Sequence, residues 1–221
     1  LIRYSSIMQI TWHGQSCFQI FFSKKKNGQV RIVFDPFDES YGLKLPKLEA
    51  DVLLVTHHHS DHNNIKAVSG DYFLVDGPGE YEIKEIFICG IPAFHDSKNG
   101  LERGKTTIYT LEAEGLRICH LGDLGQKELT DEQLEKIGDI DILMIPIGGT
   151  FTIDDKEASK IINQLEPKIV IPMHYALPKL KVKMDNLEKF LKTMGQRSVE
   201  PLPRFSIKDK DLVKEDKMKI I

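Results

Sequence analysis

Between residues 8 and 35 apolar and polar positions alternate, and the alternation breaks at glycines. MQITWH (8–13) and CFQIFF (17–22) read as strands around Gly14. VRIVFD (30–35) returns as a third strand through Asn27-Gly28, a pair that favours a tight primed turn, and Pro36 ends it. DVLLVT (51–56) is a short apolar, β-branched run. YFLVD (72–76) and EIFICGI (85–91) follow, with Gly77, Pro78 and Gly79 read as the break between them. TTIYTLEA (106–113) and GLRICHL (115–121) predict a hairpin. The period then changes. LTDEQLEKIG (129–138) carries early acidic residues, helical spacing and a terminal glycine, so it predicts a helix. IDILMIPIG (140–148) predicts a strand and DDKEASKIINQLE (154–166) a helix capped by Asp154 and stopped by Pro167. KIVIPMH (168–174) reads as a strand and MDNLEKFLKTMG (184–195) as a helix. The closing KDKDLVKEDKMKII has spaced apolar positions that suit an edge hairpin or a frayed tail equally.

Strands dominate the first half, and strand alternates with helix in the second. No linker, repeat or low-complexity tract divides them. The expectation is one αβ domain over 8–221, with two stacked sheets and outer helices. LIRYSS, ahead of Met8, reads as an upstream extension or scar. Eleven Phe and six Tyr among 221 residues support a well-buried core rather than disorder. A net charge of −3 gives no general support for holding a phosphate backbone. KKK (24–26) therefore reads as a solvated hairpin tip. Cys17, Cys89 and Cys119 are widely spaced in apolar runs, without a CxxC pair, which favours a reducing, cytoplasmic setting. No signal peptide and no run of 18 apolar residues is visible, so no membrane role is expected.

The chemistry concentrates in THHHSDHNN (56–64), which crowds His57, His58, His59, Asp61 and His62 into six positions. Imidazole and carboxylate are metal ligands. His57 and His59, two apart, can share a direction in an extended segment while His58 points elsewhere. Asp61 and His62 then need a turn to come inward. Further candidates recur in one context, just beyond an apolar strand: His95 after GIPAF, Asp123 in HLGDL after RICHL, and His174 after KIVIPM. Strand ends gathered at one sheet edge converge in space and hold ligands more accurately than a long loop does.

The motif His57-His58-His59-Ser60-Asp61-His62 resembles the HxHxDH signature of the metallo-β-lactamase superfamily, and His95, Asp123 and His174 match its later elements. The resemblance runs from about residue 8 to 175. It implies an α+β fold, a four-layer αββα sandwich. It also implies two divalent metal ions, zinc first, with manganese, iron or nickel as alternatives. By that resemblance His57, His59 and His95 hold one ion, Asp61, His62 and His174 hold the other, and Asp123 bridges them. Asp61 and Asp123 are then the catalytic carboxylates. ITWHGQSCF, IVFDPF, HLGDL, IPIGGTFTID and PMHY are similar to the branch of ascorbate-6-phosphate lactonase-like and N-acyl-phosphatidylethanolamine phospholipase D-like hydrolases. Two positions depart from that branch. Gly14-Gln15-Ser16 stands where GHS is frequent, and Asn63 replaces a glycine after the histidine motif.

Two divalent ions against two carboxylates leave a centre of about +2, which favours hydroxide and an anionic substrate. The expected activity is hydrolysis of a small ester, lactone or phosphodiester by metal-activated water. Flavodiiron relatives usually carry glutamate at the position of His59, and no flavin domain follows here, so oxygen chemistry is not expected. Asp35, before Pro36, is expected by resemblance to support the metal histidines through hydrogen bonds. His120 reads as a packed or ligand-supporting histidine, and His13 as one that reaches the site only through the first turn. Gly148, Gly149 and Thr150 read as a turn before a helix or as close backbone approach to the site. The expected partner is a small molecule, with homo-oligomerisation open. Two other classes compete: a nuclease of the same fold, disfavoured by charge and length, and a metal-binding protein without turnover.

Overall fold

The computed structural model describes residues 7–24, 28–212 and 217–221. The LIRYSS segment and most of the KKK tip lie outside the described residues. β1 (Met8–Gly14), β2 (Cys17–Lys24) and β3 (Gly28–Phe34) form an antiparallel meander, with Ile10 opposite Ile20 and Ile20 opposite Ile32. This in-register apolar alternation puts Ile10, Phe18, Ile20, Ile32 and Phe34 on one buried face. β4 (Leu48–Glu49) pairs with β6 (Val68–Ser69) as a small separate ribbon. β5 (Val52–Leu54) and β7 (Phe73–Val75) extend the meander in parallel, giving the order β14-β1-β2-β3-β5-β7, with β14 at Phe205–Ile207.

The second sheet contains β8 (Gly79–Ile83), β9 (Ile86–Phe94), β10 (Lys105–Ala113), β11 (Leu116–His120), β12 (Ile142–Pro146), β13 (Ile169–Met173) and β15 (Lys219–Ile220), ordered β15-β13-β12-β11-β10-β9-β8. The sheets face each other across one apolar layer, where Phe18, Phe34 and Tyr109 are fully buried. Truncating such a phenylalanine to alanine costs about 3–5 kcal/mol. The Tyr109 hydroxyl crosses the layer to donate to the Val55 carbonyl at 3.0 Å, so the polar tip of a core aromatic is satisfied.

Helices α1 (Asp131–Ile137), α2 (Asp155–Leu165) and α3 (Leu187–Thr193) cover the outside of the second sheet, packing Ile137, Ile161 and Phe190 against it. Asp154 caps α2 by accepting from the Lys156 and Glu157 amides, and Glu157 reaches back to the Asp154 amide. The outer face of the first sheet is covered differently. Short 3₁₀ turns at Glu39–Tyr41 and Ile65–Ala67, with the irregular chain between them, bring Phe37, Leu48 and Val68 over Val33 and Leu53. The αββα arrangement is present, with a thin outer layer on this side.

Besides the small β4–β6 ribbon, three regions differ from the sequence expectation. Gly79 opens β8 rather than merely ending a turn, because the Gly77-Pro78 break is short and YEI pairs with β9 as an edge strand. β14 was hidden in a polar stretch and exists because it closes the edge of β1. The closing segment is neither hairpin nor tail: α4 (Asp209–Leu212) precedes β15, which pairs in parallel with β13.

One topological consequence sets up the site. β9, β11, β12 and β13 all run the same way, since β9 and β11 are each antiparallel to β10 and the other pairs are parallel. Their C-terminal ends therefore share one edge. In the first sheet, β3 and β5 are parallel, and the β1–β2 turn lies at the C-terminal end of β3.

Candidate metal centre

Val52, Leu53, Leu54 and Val55 are fully buried and carry the chain to the edge, where Thr56 and His57 emerge. The His62 and Asn63 amides both donate to the His59 carbonyl, at 2.9 and 3.0 Å. That turn returns Asp61 and His62 toward His57. His58 is exposed and meets the Asn63 side chain at 3.1 Å, so the residue replacing the common glycine holds this histidine.

The later strands deliver the rest. His57, His59 and His95 form one group of converging donors, and Asp61, His62, Asp123 and His174 form a second; within each group the donor atoms lie within 4.8 Å of one another. Asp123 Oδ2 is 3.1 Å from His62 Nε2, 3.2 Å from His174 Nε2 and 3.5 Å from His95 Nε2, so one carboxylate oxygen faces both groups. Yet the buried His62 Nε2 and His174 Nε2 make no hydrogen bond of acceptable geometry. Short contacts with unsuitable angles mean that these ring nitrogens aim at points beside the Asp123 oxygen rather than straight at it. A cation at such a point satisfies them, so the donor set fits divalent metal.

Asp35 organises the imidazoles from beneath and is fully buried. Its Oδ1 accepts from the Thr56 amide at 2.8 Å, and its Oδ2 accepts from Thr56 Oγ1 at 2.7 Å and lies 2.9 Å from His62 Nδ1. Because the single Thr56 hydroxyl proton goes to Asp35, Thr56 Oγ1 accepts from His57 Nδ1 at 3.0 Å. His57 Nε2 then faces the centre beside His59 Nδ1, 3.1 Å away. Asp35 thus orients His62 directly and His57 through Thr56. Sequence reading missed Thr56; its only signal was a hydroxyl at the junction of strand and histidine motif. The β1–β2 turn also contributes, with Ser16 Oγ donating to Asp123 Oδ1 at 3.2 Å and Gln15 Nε2 to Asp61 Oδ2 at 3.3 Å.

Backbone strain gathers here. Asp35 and His174 have φ of 43° and 51°, in the left-handed region. The His174 amide is tied to the Gln15 carbonyl at 3.0 Å, which fixes that conformation. Gly148 is required: a Cβ there would lie 2.2 Å from the His174 carbonyl oxygen. The close-approach reading of Gly148 therefore describes its position, while Gly149 and Thr150 continue the turn beside it, the Thr150 amide bonding the Gly148 carbonyl. His120 packs flat on Phe34, with ring centroids 4.5 Å apart, and bonds the Ser16 carbonyl at 2.9 Å, so it supports the Gln15-Ser16 turn. His13 sits beside Gln19 and joins neither donor group.

The charges follow from this packing. Burial opposes ionisation of Asp123, but the imidazoles of His174 and His62 overcome it and hold the carboxyl well below its ordinary range. Asp61 is likewise brought down to about 2, burial being outweighed by the imidazoles of His174, 3.8 Å away, and His62. Burial would lower His62, but Asp123 and Asp35 flank it and raise it well above its ordinary value. His57 falls to about 2, through burial first and the neighbouring His62 second. The thiols of Cys17 and Cys119 are buried and pushed up by desolvation, which keeps them protonated and inert.

A cavity of about 400 Å³ opens over Asp61, His59, His95 and Asp123, walled by Gln15, Tyr41, Arg103, Phe151 and Val182. No helix among the described residues is long and apolar enough to cross a membrane.

Comparison with known proteins agrees with this geometry. The family model described as "Beta-lactamase superfamily domain" matches residues 9–174, from β1 through the last candidate ligand. A UPF0173 metal-dependent hydrolase from Thermococcus onnurineus is 32% identical over 196 residues, covering 76% of this chain and 85% of the relative. The crystal structure of a candidate zinc-dependent hydrolase of the metallo-β-lactamase superfamily from Thermotoga maritima superposes with a TM-score of 0.75 at 34% identity, over 96% of each chain. The metallo hydrolase Igni18 from Ignicoccus hospitalis shares the fold, with a TM-score of 0.65 at 20% identity over 91% of this chain and 98% of that one. With a family model spanning both donor groups and relatives of this similarity, the chain belongs to the beta-lactamase superfamily, among its metal-dependent hydrolases.

Proposed function

We propose that the protein hydrolyses a compact ester, lactone or phosphodiester, using two zinc ions held by His57, His59 and His95 and by Asp61, His62 and His174, with Asp123 shared. The observation that carries this reading is the position of Asp123 Oδ2, within 3.5 Å of imidazoles from both groups. Five imidazoles and two carboxylates without a thiolate suit zinc, and manganese, iron and nickel are the alternatives to load in parallel. When bound, such ions activate water at neutral pH and neutralise charge developing on the substrate.

The chain's own groups then divide the work. Asp61, less buried than Asp123, faces the cavity and stays ionised because its carboxyl is near 2. At that value it is a weak base, so its part is to accept a hydrogen bond and orient the attacking water rather than to hold its proton. Gln15 fixes one Asp61 oxygen at 3.3 Å and so sets the direction of the other. Asp123, the more buried of the two carboxylates, fixes the spacing of the two groups. Val182 and Phe151 are among the walls of the cavity, whose volume of about 400 Å³ suits a small substrate.

The test combines metal analysis with a hydrolysis panel of aryl esters, lactones and phosphodiesters, comparing wild type with Asp123→Ala at matched loading. Two ions per wild-type chain and turnover lost with the second ion in the variant support the reading. Undiminished occupancy and turnover in Asp123→Ala overturn it. Digestion of RNA that depends on the same ligands would favour a nuclease instead.

A further inference from the structure

Among the cavity-lining residues the fixed charges are Asp61 and Asp123, both turned to imidazoles, and Arg103. Arg103 sits on the loop that follows His95. Asp96, the residue after His95, accepts four backbone amides of that loop: Lys98 and Gly100 on Oδ1, Glu102 and Arg103 on Oδ2, at 2.8–3.0 Å. The His95 amide also bonds the Gly104 carbonyl at 3.0 Å. The backbone of Arg103 is therefore fixed relative to a candidate metal ligand. Its guanidinium lies over the Phe151 ring, 4.7 Å from the centroid, and makes no salt bridge among the described residues. The ring supports the flat face and leaves the N–H edges available. A half-buried, preorganised guanidinium without a carboxylate, facing a cavity, is an oxyanion receptor.

Building on the proposed hydrolysis, we infer that Arg103 and Phe151 form a specificity site for a second anionic group of the substrate. This group is a carboxylate or phosphate separate from the bond that is cleaved. The arginine takes no part in the bond-breaking; it anchors the far end of a short bifunctional substrate while the other end lies at Asp61 and Asp123. A planar fork binds such an oxyanion through two parallel N–H bonds, which lysine does not reproduce.

Two measurements test this separately from turnover. The first is calorimetric binding of acetate, succinate and glutarate to the zinc-loaded protein. Wild type should bind a dicarboxylate more tightly than acetate, and Arg103→Met should lose about 10- to 100-fold of that advantage with acetate unchanged. Arg103→Lys should fall between them. A wild type without preference for dicarboxylates, or a preference that survives in Arg103→Met, overturns the inference. The second compares 4-nitrophenyl acetate with mono-4-nitrophenyl glutarate. Arg103→Met should raise KM for the anionic ester alone, and equal loss on both esters would show a merely structural role. If wild type cleaves neither ester, the hydrolytic reading loses support, while the binding series still decides the role of Arg103.

Discussion

The two donor groups share an edge of the fold, yet differ in charge. His57, His59 and His95 bring no carboxylate of their own and leave His59 exposed to the cavity. Asp61, His62, Asp123 and His174 bring two carboxylates, and all but Asp61 are buried. In the imidazole trio, burial keeps His57 and His95 deprotonated. In the other group the carboxylates keep a proton on His62. His57 and His95 can meet a cation without losing a proton, whereas His62 must first release one. The same ligand types are thus tuned by which neighbours the fold brings to them.

Breaking the shared member should have the largest effect. Asp123→Ala removes the carboxylate facing both groups, and we expect hydrolysis to fall by about 10³-fold with loss of the second ion, read by steady-state kinetics and metal analysis. Asp35→Asn comes next. Asparagine tolerates the left-handed backbone of Asp35, so the variant should fold, while metal affinity falls about 10- to 100-fold, more at the His62 group that Asp35 contacts directly. Competition titration with a chromogenic chelator measures it, and equal loss at both groups would erase the contrast drawn between them.

The proton difference predicts a pH signature. The His62 value is raised above the ordinary 6.5, so its proton remains bound at pH 6.5 and leaves only as pH rises through the raised value. Cation affinity at that group should therefore increase with pH, by up to about tenfold per unit, and level off above the raised value. His57, near 2, has no proton to give at pH 7. Calorimetry in two buffers of different ionisation enthalpy should show one of the two binding steps releasing a proton from this source and the other not. Thr56→Val gives the smallest change. It removes the hydroxyl between Asp35 and His57, and should weaken the imidazole trio by about tenfold, with Thr56→Ser close to wild type.

Much of this was legible along the chain, because each candidate ligand follows an apolar strand and strand ends are few. His57, His59, Asp61, His62, His95, Asp123 and His174 stand out by residue type and context alone, and the structure brings all seven together. Supporting groups were less visible. Thr56 and Ser16 are ordinary hydroxyl residues until the sheets pack and place Asp35 and Asp123 beside them. β8 and β14 were missed because edge strands need pair with only one neighbour and carry a weak apolar alternation.

The sequence by itself determined the ligand inventory and the alternating patterns that make two sheets, since both are properties of residue type and local period. Tertiary structure decided that the parallel runs of β9, β11, β12 and β13 end at the same edge as β3 and β5. It also decided which carboxylate would flank which imidazole, and that Arg103 would look into the cavity from a loop pinned by Asp96. Those outcomes depend on distances between residues far apart in the chain, and only packing sets such distances.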